Sequence, residues 1–214
     1  MDGFPDSPTP LARAVLAVLK VARELYVEIT RTKLAPLLYL ADLDAIESGR
    51  TRFSGAAWRW DGHGPYDHAL ILAEEWTVKS DLAERRDSPP AEYGSRALSL
   101  TVDIDDPLSP STMDRVRAVI HLHGGRSEAD LSDLFRETAP IVEACAAGER
   151  GVLLDLNRAR RHRQAGALRE RFQARREARP PQHDDPGVGD ALRSEFLEAR
   201  DGLRRANTKI LGDR

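Results

Sequence analysis

The chain has 214 residues, of which 41% are hydrophobic and 31% charged, a composition typical of a globular protein with an apolar core and a charged surface. It contains no apolar run near 18 residues, and its first ten residues lack the basic and apolar regions of a signal peptide, so we expect no membrane span and a cytoplasmic protein. The single cysteine, Cys145, excludes an internal disulfide, and its apolar helical surroundings favour a buried structural thiol over a nucleophile.

Charge is unevenly distributed along the chain. Nine arginines and two glutamates lie between Arg158 and Arg179, a local net charge of +7, whereas the whole chain carries −3. The residues after this segment carry −1, which leaves −9 for residues 1–157. Since a nucleic-acid reader normally has a basic body, the acidic body disfavours nucleic-acid recognition as the main function.

The chain begins with a short lead and two helices. Residues 1–10 are acidic and rich in proline, so we expect them to be disordered. Thr9 is a suitable N-cap, and apolar residues then recur at helical spacing to about Tyr26. A second helix follows the β-prone segment VEIT, and Pro36 lies early enough to fit its first turn. The apolar stripe of this second helix is so wide that we expect a buried central helix.

A corner rich in glycine separates the second helix from the third. Residues 53–60 are aromatic and small, and they predict a short strand. Gly64 and Pro65 form a structural corner, because glycine permits the turn and proline fixes φ at the start of the third helix. Strands over 82–86 and 93–102 then predict a hairpin. Helix, helix, strand, helix and hairpin is the element order of a winged-helix-like unit.

The second half of the chain is predicted to be helical. Ser109 caps a fourth helix that Gly124 stops, Ser127 begins the next helix with a capping box, and Pro140 opens another. Residues 156–214 predict a charged extension, with an arginine-rich helix and a weakly amphipathic helix over 190–206. We therefore predict a mainly α (α+β) fold.

In this prediction, residues 11–155 form one helical domain with a small antiparallel β-hairpin and a winged-helix-like first half, and residues 156–214 form a charged helical C-terminal extension. Within residues 11–155 the motifs LLYLAD, ESGR and HGPYD follow one another around an aromatic strand. Their order resembles the Panacea antitoxin domain, also called the SocA-like antitoxin domain. In that family a helix of the type kLLYlAd, a G-R turn and a GP helix start recur. The segment from Ser111 to Pro140 is similar to the second helical half of the same family.

The resemblance implies an antitoxin of a two-gene toxin–antitoxin system. Such a protein is not an enzyme; it binds a cognate toxin and holds it inactive, and the resemblance implies no cofactor. The toxin cannot be named, because partners in the family are chemically diverse. The extension after residue 155 would adapt the domain to its toxin. The sequence also lacks the G-x-S-x-G, phosphate-loop and H-E-x-x-H motifs, so we assign no catalytic residues.

Candidate partner-binding residues surround the Gly-Pro corner. They are Trp58, Trp60, Asp61, His63, Tyr66 and Asp67. The two tryptophans alternate along one side of a strand, so core packing is the alternative to an exposed binding anchor. Changing the side chains of His63 and Asp67 should alter binding without unfolding the protein. His63 and His68 flank the corner with Asp61 and Asp67, but this set has no recognisable metal-ligand spacing and we assign no metal.

The arginine-rich segment supplies candidates for contact with an anionic partner. They are Arg158, Arg160, Arg161 and Arg163. A solvated charged helix, docking on an acidic toxin or on the acidic body of the same protein, and contact with nucleic acid all remain open. Nucleic-acid contact supports the alternative function, a DNA-binding transcriptional regulator acting at its own promoter. The last partner that we consider is a second copy of the same chain, with which the protein would form a homo-oligomer.

Overall fold

The computed structural model describes residues 7–87, 96–148, 150–178 and 186–211. The chain divides into two compact units, Met1–Ala167 and Leu168–Arg214. Within the described ranges it forms eight α-helices and six short strands, so the predicted class, mainly α with small antiparallel sheets, is confirmed. None of the helices in these ranges combines the length and the apolar character that crossing a membrane requires.

The elements lie in the order α1 (Pro10–Glu24), β1 (Ile29–Thr30), α2 (Arg31–Glu47), β2 (Arg59–Trp60), β3 (Pro65–Tyr66), α3 (His68–Lys79), β4 (Ala83–Asp87), β5 (Arg96–Leu100), α4 (Pro110–His123), α5 (Glu128–Arg136), α6 (Ala139–Ala147), β6 (Val152–Leu153), α7 (Asn157–Glu177) and α8 (Pro186–Leu211).

The first half is winged-helix-like, as the element order predicts. Strands β1, β5 and β4 form one antiparallel sheet in that spatial order, and helix α1 packs on α2, on α3 and on β5. Ile29 and Arg85 both pair with Leu98, one from each side of the central strand. The predicted hairpin is therefore β4–β5, and the VEIT segment adds a third strand. Residues 93–95, the start of the second predicted strand, lie outside the described residues.

Helices α1 and α2 form the centre of the core. The hydroxyl of Thr9 accepts a hydrogen bond from the backbone N–H of Ala12 at 3.1 Å, so the predicted cap of α1 is confirmed. In α2, Leu34, Leu37 and Leu38 have no exposed surface, which confirms the buried central helix. Pro10 already belongs to α1, and residues 1–6 of the predicted lead lie outside the described residues.

Two prolines lie elsewhere than predicted. Pro36 is in the interior of α2, beyond its first turn, because the helix begins at Arg31 behind the N-cap Thr30. Pro65 does not open α3; it lies in β3, which pairs with β2, and α3 begins at His68. A proline can occupy a strand position whose N–H is not needed by the neighbouring strand, so the short β3 accommodates it.

A second small sheet joins distant parts of the chain, and the sequence did not predict it. Its order is β3-β2-β6, and Arg59 of β2 pairs with Tyr66 on one side and with Leu153 on the other. The backbone N–H of Leu154 also donates to the carbonyl of Trp58 at 2.8 Å. The two halves of the predicted domain are therefore joined by main-chain hydrogen bonds.

Helices α4 to α6 lie where they are predicted, but only α5 has a side-chain cap: Ser109 is the N-cap residue of α4, and its side chain makes no capping hydrogen bond. Ser127 and Asp130 form the predicted capping box, and hydrogen bonds from Ser127 lower the pKa of the Asp130 carboxyl. The predicted helix around Pro140 is α6, which ends at Gly148 in a left-handed conformation. Cys145 on α6 is exposed, so the predicted burial of this thiol is wrong. The α6 face that enters the core carries Ile141 and Ala144 instead.

Packing, and not backbone conformation, requires a glycine at the end of α4. A Cβ atom on Gly124 would lie 2.6 Å from the carbonyl oxygen of Ile120 and 2.9 Å from Cγ1 of Val27. Real Cβ atoms do not approach other heavy atoms so closely, so α4 or the Val27 segment would have to move. A Cβ atom on the next glycine, Gly125, would meet no heavy atom within 4 Å.

We predict that Gly124→Ala lowers the free energy of unfolding by about 1–3 kcal/mol, as overpacking does at tight sites. Gly125→Ala is the matched control and should change this free energy by less than about 1 kcal/mol. Urea unfolding followed by circular dichroism measures both variants. Equal effects of the two substitutions would contradict the close approach described for Gly124.

Candidate functional site

A buried carboxylate holds the loop that leads to the Gly-Pro corner. Asp42 of α2 has no exposed surface. Its Oδ1 accepts hydrogen bonds from the backbone N–H groups of Phe53 at 3.0 Å and Ser54 at 3.1 Å. Its Oδ2 accepts from the indole N–H of Trp58 at 2.9 Å and from the hydroxyl of Ser54. Asp42 is not among the residues predicted from the sequence. Its signal is an acidic residue inside an apolar helical stripe, because a carboxylate buried there needs hydrogen-bond donors from neighbouring segments.

Trp58 and Tyr39 extend this polar cluster into the core. Their rings meet edge to face, with centroids 5.9 Å apart. The hydroxyl of Tyr39 lies 2.8 Å from Oγ1 of Thr138, the residue before α6. Burial raises the pKa of Tyr39, so its hydroxyl stays protonated and available for this hydrogen bond. The cluster therefore links α2, β2 and α6.

Both candidate tryptophans belong to the core. Trp58 is 1% exposed and Trp60 is 6% exposed, and Trp60 packs edge to face on Phe135 of α5 with centroids 6.4 Å apart. The alternation along the strand is as predicted, since the intervening Arg59 is exposed. The structure contradicts the exposed-anchor interpretation for these two residues, because their indole rings are covered by the helices of their own domain.

The turn between β2 and β3 is held by a side chain that was assigned to partner binding. Oδ1 of Asp61 accepts hydrogen bonds from the backbone N–H of His63 at 2.7 Å and of Gly64 at 2.9 Å. The positive φ in this turn, +100°, belongs to Gly62 and not to Gly64. A Cβ atom on Gly64 would lie 3.3 Å from Cζ of Phe135, so this glycine permits close packing. Asp61 therefore fixes the turn.

Asp67 also has a structural role, which corrects the expectation that its side chain is free for binding. Its Oδ1 accepts from the backbone N–H of Ala69 at 2.9 Å and caps α3, while its Oδ2 accepts from that of Ala57 at 2.7 Å. Tyr66 is half-buried beside it. His63 alone among the polar candidates has an exposed side chain, so the surface that the corner offers to a partner is smaller than predicted.

Helix α3 has two contrasting faces. Glu74 on its inner face is buried, and its carboxylate forms ion pairs with Arg85 of β4 at 2.8 Å and with Arg31 of α2 at 3.1 Å. On the outer face, Ile71 is 38% exposed and Leu72 is 53% exposed. The sequence predicts this helix but not which of its faces is buried. The signal was a run of three large apolar residues, which is wider than one buried face requires.

The basic segment begins within the first compact unit, and there its arginines pair with acidic residues of the same unit. These ion pairs are Arg158–Glu143 at 2.9 Å, Arg161–Asp155 at 2.6 Å and Arg163–Glu47 at 3.4 Å. The fourth candidate, Arg160, is exposed. Of the interpretations left open by the sequence, docking on the protein's own acidic body therefore describes three of the four arginines. Exposed pairs of this kind each contribute at most about 1 kcal/mol.

The acidic residues of the corner stabilise the local backbone by accepting hydrogen bonds, and this arrangement does not point to proton transfer. Asp42, Asp61 and Asp67 each accept two or more hydrogen bonds from main-chain or indole donors. In the part of the chain that the structure describes, no three or more His, Cys, Asp or Glu side chains lie together in a group that could hold a metal ion. The site therefore offers a partner an apolar surface of defined shape and the exposed imidazole of His63.

Comparisons of the chain with protein-family models, with curated proteins and with solved structures gave no match. The resemblance to the Panacea antitoxin domain therefore stands as a hypothesis carried by the motifs themselves. The geometry described above is independent of that hypothesis. Among the described residues of the first compact unit, Ile71 and Leu72 on the outer face of α3 are two adjacent large apolar side chains that are both exposed, whereas Leu122 of α4 and Val142 of α6 are exposed singly.

We predict that Asp42→Ala lowers the free energy of unfolding by at least about 3 kcal/mol, because three buried or half-buried N–H donors lose their acceptor. Asp44→Ala is the matched control in the same helix; it removes only the partly exposed ion pair with Arg115 and should cost less than about 1 kcal/mol. Urea unfolding followed by tryptophan fluorescence measures both. A similar loss in the two variants would contradict the central role of Asp42.

The sequence predicts the same effect for substitutions of His63 and Asp67, but the structure gives the two side chains different roles. Asp67→Ala should lower the free energy of unfolding by about 1–2 kcal/mol, since α3 loses its N-cap. His63→Ala should change it by less than about 0.5 kcal/mol, as exposed substitutions usually do. Thermal unfolding at neutral pH distinguishes them. Equal melting temperatures for the two variants would show that the Asp67 hydrogen bonds do not support the fold.

Proposed function

We propose that this protein is an interaction module of the antitoxin type, which neutralises a cognate toxin by direct protein–protein binding through the outer face of α3. The observation that carries the proposal is the exposure of Ile71 and Leu72 on that face. Adjacent exposed apolar side chains can mark an interaction surface, and the fully buried core of a protein–protein interface is more apolar than its rim. The exposed imidazole of His63 lies in the turn that precedes this helix along the chain.

The composition of α3 favours a protein partner over DNA at this surface. In a helix-turn-helix arrangement the second helix enters the major groove and presents donors to base edges and phosphates. The exposed residues of α3 include one cation, Lys79, alongside His68 and the two aliphatic residues. A base-reading helix would carry Arg, Asn, Gln or further Lys here. The winged-helix-like frame therefore presents an apolar surface where a DNA reader would present a polar one.

The resemblance to the Panacea antitoxin domain supports a toxin as the class of partner. The motifs that carry it include LLYLAD, which contributes Tyr39 and Asp42 to the polar cluster, and HGPYD, which contributes the α3 cap Asp67. The residues of these motifs build the frame that presents α3. In this proposal the family motifs preserve the frame, while the outer face of the helix provides recognition of a particular toxin.

A DNA-binding regulator remains the second candidate, and two observations favour it. The sheet order β1-β5-β4 with three helices is a frame that many DNA readers use, and α7 continues past its paired arginines into further exposed arginines such as Arg169 and Arg175. This candidate predicts an affinity for the protein's own promoter that falls steeply with salt, because phosphate contacts release counterions. Absence of promoter binding at low salt would exclude it.

The proposed function is tested by co-expressing the protein with the product of the adjacent gene. The wild-type protein should restore growth, and Ile71→Asp with Leu72→Asp should abolish rescue and weaken binding at least about 100-fold, the loss typical of two central interface residues. Leu122→Asp, at an exposed leucine of α4, is the matched control and should retain rescue. Unchanged thermal unfolding of the double variant excludes a folding defect.

Two outcomes would contradict this proposal. If the adjacent gene product is harmless when expressed alone, the antitoxin function is wrong. If the double variant neutralises and binds the toxin as well as wild type does, the outer face of α3 is not the binding surface.

A further inference from the structure

Helix α8 carries large apolar side chains that face solvent. It is 26 residues long, and Leu192, Phe196 and Leu203 are 61%, 69% and 67% exposed. An isolated helix gains little stability in water from its own hydrogen bonds, and most helical stability in proteins comes from packing of an apolar face. A long helix on which four large apolar side chains are exposed, these three and Leu197, is therefore suited to pack against a partner.

The spacing of these side chains identifies the geometry of the partner. Leu192, Phe196, Ala199 and Leu203 are separated by steps of four, three and four residues, and the sequence continues the same alternation to Ala206 and Ile210. Alternating steps of three and four are the a and d positions of a heptad repeat. Two complete heptads, residues 196–209, with Leu192 before them and Ile210 after them, define a seam with a period of 3.5 residues, which packs best against another helix of the same period.

Charged residues beside the seam favour a second copy of the same helix in parallel orientation. With Phe196 and Leu203 at a positions, Glu195 occupies a g position and Arg200 the following e position. In a parallel pair each g residue faces the e residue five positions later in the other helix, so Glu195 faces Arg200 of the second copy twice by symmetry. In an antiparallel pair, e positions of one helix face e positions of the other. Arg193 and Arg200 both occupy e positions, so an antiparallel pair would bring like charges together.

We propose that α8 forms a parallel two-stranded coiled coil with α8 of a second copy of this chain, so that the protein is a homodimer in solution. The seam consists of Leu192, Phe196, Ala199 and Leu203 and continues in the sequence to Ile210. The alanines at d positions limit the apolar area of each heptad, so the dimer forms in a concentration-dependent equilibrium. This inference does not depend on the proposed function, since it involves no residue of α3 or of the corner.

Sedimentation equilibrium of the full chain tests the proposal. At high micromolar concentration the wild-type protein should have about twice the 23.8 kDa mass of a single chain. Phe196→Glu combined with Leu203→Glu should raise the dissociation constant at least 100-fold and give a monomer. Leu197→Glu is the matched control on the same helix; it lies at a b position outside the seam and should leave the dimer intact. The thermal unfolding of the first compact unit should be the same in all three proteins.

The orientation is tested by exchanging charges. Glu195→Arg should weaken the dimer, and adding Arg200→Glu should restore it, because both parallel pairs are then reconstituted in reverse. A wild-type monomer at all concentrations, a dimer that survives both seam substitutions, or equal weakening by Leu197→Glu would overturn the proposal. Failure of the charge exchange to restore a dimer weakened by Glu195→Arg would overturn the parallel orientation.

Discussion

Four donors converge on the buried carboxylate of Asp42, and the position of the corner follows from this contact. A buried charge is tolerated only when hydrogen bonds replace its lost hydration, so α2, the loop after it and the indole of Trp58 must be in place together. Trp58 directly precedes β2 and so sets the direction of this strand. Strands β3 and β6 pair with β2 on either side. The Asp67 cap joins the segment before β2 to α3 in turn.

A consequence for function is that four of the candidate residues at the corner stabilise the fold. Asp61 fixes a turn, Asp67 caps α3, and Trp58 and Trp60 are buried. In the proposed function, recognition falls to the outer face of α3, where Ile71 and Leu72 are exposed, and to the exposed imidazole of His63. A binding module of this kind can change partners by changing a few outward residues, because the hydrogen bonds that hold the helix in place lie elsewhere.

Local features could be predicted from the sequence, and contacts between distant segments could not. The Thr9 cap and the Ser127 capping box were predicted because each depends on residues three positions apart. Strand β6 was missed, since two residues of ordinary β propensity become a strand only through pairing with β2. Burial of Cys145 was predicted wrongly because α6 is apolar almost all round, and only packing decides which face enters the core. For the same reason the sequence could not predict which residues of the corner are exposed: Trp58 and Trp60 are buried, and His63 is exposed.

The pairing of β2 with β6 has a consequence for how the protein is made. Residues 59–60 leave the ribosome well before residues 152–153, and at the usual 5–20 residues per second the delay is on the order of ten seconds. During this interval the strand that carries Trp60 has only β3 beside it, and the α5 ring that covers this indole is synthesised late in the same interval. The face of the Trp60 indole that Phe135 covers therefore stays uncovered until α5 has been synthesised. The sheet β3-β2-β6 can be completed only after residues 152–153 have been synthesised, so it closes late in the synthesis of the chain.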